Sequence, residues 1–72
     1  MTYQIYSVRQ GLYSVDRDGH LVAQISNHEG RWLAYRAERR DHVTLQISAT
    51  IDVTSDLHHH DRLIPRIEAL IA

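Results

Sequence analysis

Seventy-two residues, 43% of them hydrophobic, predict one small domain (1–72) whose thin core would gain from burial in a homodimer. Eight basic and nine acidic side chains nearly cancel, so no strong global field points to nucleic acid or a membrane surface. The lack of cysteine excludes disulfides, thiolate metal sites and a thiol nucleophile. No apolar stretch approaches the roughly 20 residues that a membrane span needs, and together these features favour a cytoplasmic protein.

The first half of the chain predicts four strands joined by short turns. Apolar and polar residues alternate in each segment, and glycine or polar residues separate the segments. Short connections favour an antiparallel meander, because parallel strands need long crossovers. The predicted strands are 3–8, 12–16, 21–26 and 31–38.

Asp18-Gly19 between two apolar runs is the best short-range hairpin signal in the chain. A two-residue turn of type I′ needs positive φ at both positions, which Asp and Gly tolerate. In the simplest register, Val15 lies opposite Val22, so that apolar side chains meet across the ladder.

Residues 43–53 carry the longest period-two pattern. Successive strand side chains point to opposite faces, so this pattern predicts one long strand with one dry and one wet face. A polar turn at Arg39-Arg40-Asp41 would lead into it. The apolar positions are Val43, Leu45, Ile47, Ala49, Ile51 and Val53.

The chain after residue 53 predicts a helix over about 57–71. Thr54, Ser55 and Asp56 are residues that start helices, because their side-chain oxygens accept free backbone N–H groups. Pro65 is tolerated only in a first turn, which places the regular helix from about Asp61 or Arg62. The apolar stripe consists of Leu63, Ile67 and Leu70.

These elements define an α+β fold: an antiparallel four- to five-stranded β-meander with one C-terminal α-helix packed on one face. One helix covers about 10 Å of sheet, or roughly two strands at ~4.8 Å spacing. The rest of the dry face needs another cover, which a second copy of the chain could supply.

The triple histidine 58–60 offers the best metal ligands in the sequence. Consecutive helical residues point about 100° apart, so the useful sets are pairs such as His58 with Asp61 or Asp56 with His60. His58, His60 and Asp61 are therefore weak metal candidates, and the alternative is a solvated approach to the helix. No recognised ligand motif is present, and no metal or other cofactor is expected.

Catalysis is not expected. The sequence has no nucleophile elbow, no phosphate-binding glycine loop and no paired carboxylates with a shared setting. A single-layer sheet with one helix also offers little concave volume for a substrate.

Basic and aromatic residues gather in the fourth strand and its turn. Such residues on a sheet can bind phosphates and stack on bases, which predicts nucleic-acid binding as one possibility. Gly30-Arg31-Trp32-Leu33-Ala34 also resembles the Gly-x-Trp-x-Ala strand of the arm-type DNA-binding domains of phage integrases, although the chain lacks their overall basic charge. The candidate binding residues are Arg31, Trp32, Tyr35, Arg36, Arg39 and Arg40.

The same residues suit a protein-binding surface, because Tyr, Trp and Arg dominate binding hot spots. An exposed Trp32 flanked by Arg31 and Arg36 would form such a cluster, and the alternative places the rings in the core or a dimer seam. The stretch 30–35 is similar to a strand in a family of anti-CRISPR inhibitors, which implies a phage or mobile-element protein that obstructs a larger host complex. The favoured function is a non-enzymatic protein-binding module. A small DNA-binding module is the first alternative and a structural homodimeric accessory protein is the second.

Overall fold

Three two-residue turns bend the chain back on itself in the computed structural model, which describes residues 1–72. Both residues of each turn have positive φ, the geometry that matches the right-handed twist of the strands it joins. Glycine takes this conformation without strain, and Asp is among the side chains that tolerate it best. The turns are Asp18-Gly19 (φ 51° and 85°), Glu29-Gly30 (55° and 86°) and Asp41-His42 (52° and 66°).

The strands form one antiparallel sheet in which each of the first four pairs with the next. The fifth and sixth strands both pair with the fourth, at different points along it. One helix follows, so the predicted α+β meander with a C-terminal helix on one face is confirmed. The elements are β1 (Tyr3–Arg9), β2 (Leu12–Arg17), β3 (His20–His28), β4 (Arg31–Arg40), β5 (Val43–Gln46), β6 (Ile51–Asp52) and α1 (His60–Ile71).

The core lies between the sheet and α1. Leu63 and Ile67 from the helix pack on apolar side chains from β2, β3 and β4 and from the segment that precedes the helix. Removing these side chains from water is the main stabilising term for so small a fold. The buried cluster is Val15, Ala23, Ile25, Ala34, Val53, Leu57, Leu63 and Ile67.

The β2–β3 hairpin has the predicted turn but a different register. Val15 pairs with Ala23, whereas Asp16 pairs with Leu21, so Val22 is an extra residue in a β-bulge. The predicted pairing of Val15 with Val22 is therefore wrong by one residue. A bulge places two residues of one strand opposite one of the other and increases the local twist.

The single long strand predicted over 43–53 is broken into β5 and β6. Gln46 pairs with Ala37 and Ile51 with Ala34, so five steps of chain lie opposite three steps of β4. The excess residues leave the ladder at the point where the Arg36 N–H donates to the Ser48 hydroxyl, at 2.8 Å, instead of to a carbonyl of the facing strand. The predicted turn at 39–41 is also displaced, because Arg39 and Arg40 end β4 and the turn is Asp41-His42.

The helix begins at His60, within two residues of the start predicted at Asp61 or Arg62, whereas the outer bound of 57 and the Thr54-Ser55-Asp56 signal placed it too early. His59 is its N-cap residue and makes no side-chain capping bond. Asp56 instead forms an ion pair with Arg66, at 2.8 Å. Because α1 starts at His60, Pro65 lies beyond the first turn, and the expectation that it lies within it is wrong. The Asp61 carbonyl, which would accept the missing N–H, belongs to an exposed residue that water can reach.

The helix α1 has 12 residues. No helix in this structure combines the length and the apolar composition that crossing a membrane requires.

Candidate functional site

The six predicted binding residues are divided between the two faces of β4. Ala34 is buried under α1, and side chains at every second position share its face. Trp32, Arg36 and Arg40 therefore lie on the helix-covered side, and Arg31, Tyr35 and Arg39 lie on the opposite side. The predicted cluster of Trp32 with Arg31 and Arg36 does not form as one surface.

Trp32 is half-buried and packs against the core. Its ring lies 5.4 Å from that of Tyr13 at an interplanar angle of 52°, a tilted arrangement that aromatic pairs favour. Its backbone N–H donates to the Thr54 hydroxyl at 2.9 Å, which fixes β4 to the segment after β6. Trp32 thus supports the fold, as the alternative interpretation of the sequence expected.

Arg31 forms an ion pair with an acidic side chain on the neighbouring strand, β6. Its Nε and Nη2 atoms both donate to the same carboxylate oxygen of Asp52, at 3.1 and 2.9 Å. The pKa of Asp52 falls from its usual 3.8 to about 2, because the Thr54 hydroxyl and backbone N–H donate to the carboxylate and the Arg31 guanidinium adds a further bond. Arg31 is consequently less available to an external ligand.

This lowered pKa predicts a specific acid response. A carboxylate whose folded pKa lies below its unfolded value stabilises the fold fully above about pH 4, and this contribution is lost as the pH falls toward 2. We expect Asp52→Asn to lower the thermal midpoint above pH 4, and the difference from wild type to vanish near pH 2. Thermal melts between pH 2 and 6 measure this, and two parallel curves would show that Asp52 is not the group responsible.

The remaining arginines differ in their exposure and in their ion pairing. Arg40 forms an ion pair with Glu38 two residues earlier on the same face of β4. Arg36 is half-buried, whereas Arg39 is exposed and has no ion-pair partner. Arg39 is therefore the most available cation of the original set.

The most prominent exposed apolar feature lies beside these arginines, on β5 and the residue that follows it. The side chains of Val43, Leu45 and Ile47 are 54%, 37% and 42% exposed, although the period-two pattern predicted them on the dry face. They do lie on the side of the sheet that α1 covers, since Val43 pairs with Arg40 and Leu45 with Glu38. The helix, however, packs on β3 and β4 and leaves β5 uncovered. We call Val43, Leu45 and Ile47 the apolar strip.

A shallow cavity of about 150 Å³ extends the apolar strip toward the end of α1. Ile47 lines it together with Ile71 of the helix and the bulged Val22. Arg17, Arg36 and Glu38 provide the charged part of its border. The strip was missed as a site because its residues looked like core, and the signal that could have revealed it is the limited width that one helix covers.

The metal candidates lie elsewhere. His58 and His60 line a cavity of about 230 Å³ with Ile5, but no three histidine or acidic side chains are grouped closely enough to hold a metal ion. Asp56, the acidic partner considered for His60, is paired with Arg66. Asp61 is exposed on the first turn of α1.

Comparison with models of protein families, with curated proteins and with solved structures finds no match to this chain. The fold and the surface define a small α+β protein with an apolar strip that arginines border.

Proposed function

We propose that this chain is a non-enzymatic protein-binding module that docks through the apolar strip. The observation that carries the proposal is the exposure of Val43, Leu45 and Ile47 in a fold whose core residues are at most 6% exposed. Contiguous exposed apolar side chains with a polar rim are typical of protein–protein interaction sites. Isolated exposed hydrophobic residues would need no such explanation.

Charge around the apolar strip favours a partner with an acidic rim. Arg17, Arg36 and Arg40 border it, and Glu38 is the acidic residue among them. A two-fold pairing of two copies would bring this net positive border against itself, and like charges facing each other across an interface cost free energy. A different, acidic protein therefore fits the strip better than a second copy does.

The finer proposal is an inhibitor that occludes a surface of a larger host complex, in a cytoplasmic setting. A small module with one apolar strip can block such a surface without any chemistry of its own. The phage-like origin implied by the similarity of residues 30–35 to an anti-CRISPR strand belongs to this finer proposal.

DNA binding is the main alternative, and the arrangement of β4 gives it less support. Trp32 and Tyr35 lie on opposite faces of the sheet, so they do not form one stacking platform. Arg31 and Arg40 are already paired with Asp52 and Glu38. The two arginines of the set without an ion pair, Arg36 and Arg39, lie on opposite faces of the sheet. They are a weak basis for phosphate binding, since nucleic-acid affinity grows with the number of phosphates neutralised.

Photo-crosslinking from position 43 tests the proposal. Val8 offers a matched control, because it is an exposed strand valine (52%) on β1, far along the sheet from Val43. A benzophenone amino acid at position 43 should capture a specific acidic protein from a nuclease-treated lysate of the native host, and the same probe at position 8 should not. Equal capture at both positions, capture of DNA in the untreated lysate, or a crosslinked dimer of this chain would overturn the proposal.

Affinity measurements on the captured protein complete the test. We expect Leu45→Ser to weaken binding about tenfold, since truncating an anchor side chain costs more than about 1 kcal/mol, and Val43→Ser to act in the same direction. Val8→Ser should leave the Kd unchanged. All three variants should keep the thermal midpoint of wild type within a few degrees, because the replaced side chains are exposed.

A further inference from the structure

Two cavities lie at the end of the sheet opposite the β4–β5 turn. Their volumes are about 470 and 430 Å³, and they share Arg9, Gln10, Gly11 and Asn27. Gly11 has a φ of 82°, and its carbonyl accepts the Asn27 N–H at 2.8 Å, which holds the β1–β2 turn against the end of β3. The larger cavity opens on the face that α1 does not cover, and volumes of this size match small-molecule sites.

The larger cavity contains no acidic residue among the ten that line it, in a chain that has nine acidic side chains. Arg9 is its permanent cation and makes no ion pair or side-chain hydrogen bond within the protein. An unpaired guanidinium presents several N–H donors in a fork that matches an oxyanion. The local charge therefore favours an anionic ligand.

The carboxamide groups at this cavity are only partly used within the protein. The Gln24 carbonyl oxygen accepts the Tyr35 hydroxyl at 3.1 Å, and the Asn27 carbonyl oxygen accepts the Gly30 N–H at 3.2 Å. The Asn27 amide N–H groups have no partner, nor does the carboxamide of Gln10. The Gln24 and Gln46 amides donate within the protein as well, to the Ser14 hydroxyl at 3.2 Å and the Ser48 carbonyl at 2.9 Å. Free donors and free acceptors therefore both remain at the cavity, which suits hydroxyl groups on a ligand.

We propose that the larger cavity binds a small polyhydroxylated anion, of the size of a sugar phosphate or a sugar acid. Arg9 holds the phosphate or carboxylate group, and the free amide of Asn27 donates to it. The carboxamides of Gln10 and Gln46 bind hydroxyl groups, and the ring of Tyr35 forms a wall for the carbon skeleton. Neutral polar side chains with one aromatic wall match a ligand that carries many hydroxyl groups.

This site lies on the opposite face of the sheet from the apolar strip, and Gln46 is the one residue that it takes from the same segment of chain. Arg9, Gly11 and Asn27 lie at the end of the sheet formed by the β1–β2 and β3–β4 turns, whereas Val43 follows the β4–β5 turn at the other end. Binding of a protein at the strip and of an anion at the cavity can therefore succeed or fail separately.

NMR titration of the whole 72-residue chain tests the proposal, with glucose 6-phosphate, glucuronate and glucose as matched probes. We expect saturable shifts at Arg9, Gly11 and Asn27 with at least one of the two anions, and none with glucose at the same concentration. Binding of the phosphate alone or of the carboxylate alone would identify which group the cavity takes. Absence of saturation with both anions, or equal binding of glucose, would overturn the proposal.

Variants separate this cavity from general attraction of anions to arginine. Arg9→Gln should weaken binding at least tenfold, because it removes the charge-assisted hydrogen bond to the anionic group of the ligand. Asn27→Asp keeps the acceptor for the Gly30 N–H but adds a repelling carboxylate, so it should also weaken binding. Arg62→Gln, which removes an exposed and unpaired arginine of α1, should change nothing. Equal losses for Arg9→Gln and Arg62→Gln, or wild-type binding by Arg9→Gln, would contradict the assignment.

Discussion

Ile67→Ala should destabilise the fold by about 2–5 kcal/mol, among the largest losses expected for a single substitution in this chain. Ile67 is fully buried between α1 and the sheet, so truncation removes apolar burial and leaves a cavity. A fold of this size has a free energy of unfolding of roughly 0.1 kcal/mol per residue, so Ile67→Ala would remove a large part of the total stability of the chain. Urea denaturation should show the midpoint falling, and the thermal midpoint should drop by roughly 10 °C or more.

Ile47→Ala is the matched control, because it truncates the same kind of side chain at a site that is 42% exposed. We expect its free energy of unfolding to stay within about 0.5 kcal/mol of wild type. Similar losses for the two variants would mean that the apolar strip belongs to the core of the fold. That result would also remove the main support for a docking role.

Alternation along β4 was sufficient to predict which of its residues share a face, and the predicted cluster of Trp32 with Arg31 and Arg36 failed because Arg31 is out of step with that alternation. Alternation places Trp32 with Ala34 and Arg36, and the structure has them together on the helix-covered side. The Asp18-Gly19 turn was equally predictable, since its positive φ values suit those residue types. These features depend on local backbone geometry, which a short stretch of sequence encodes directly.

Other features depend on partners that are distant in sequence and leave no periodic signal. The Ser48 hydroxyl accepts the Arg36 N–H and so replaces a ladder bond, although Ser48 occupies a regular position in the alternating pattern. Val22 is the extra residue of a bulge, yet an apolar residue at that position looks like an ordinary strand residue. Neither local propensity nor a period of two can predict where a side chain replaces a ladder hydrogen bond or where a bulge inserts a residue.

The candidate site was missed for a third reason, which is that the sequence does not show how much of the sheet the helix covers. A period-two pattern predicts that Val43 and Leu45 face the same side as Ala34, and they do, but it does not predict how far a helix reaches across that side. The helix α1 packs on β3 and β4, so residues on β5 remain in contact with solvent. An apolar pattern can therefore indicate either a core or a binding surface, and the position of the covering element decides between them.

The opposite face of the sheet has no covering element, and its centre is polar. Ser14 and Gln24 are only 1% and 8% exposed there. The Gln24 amide donates to the Ser14 hydroxyl at 3.2 Å, and its carbonyl oxygen accepts the Tyr35 hydroxyl at 3.1 Å. Every buried side-chain polar atom in the structure has a partner, so this chain of bonds satisfies groups that would otherwise be costly.

Gln24→Leu should therefore destabilise the fold by about 1–3 kcal/mol, because it leaves the buried Ser14 hydroxyl without its donor. The Tyr35 hydroxyl also loses its acceptor in this variant, but it contributes less to the loss of stability because it is only part-buried and can reach water. Gln4→Leu is the control, because Gln4 is an exposed glutamine on β1 and its replacement should be nearly neutral.

The double variant Ser14→Ala with Gln24→Leu decides whether the polar bond itself is responsible. Replacing both partners by apolar groups removes the unsatisfied hydroxyl, so the double variant should be more stable than the sum of the two single losses predicts. Urea denaturation of the four proteins gives this coupling free energy, which we expect to be about 0.5–3 kcal/mol. Strict additivity would mean that Gln24 stabilises the sheet by packing rather than by its hydrogen bond to Ser14.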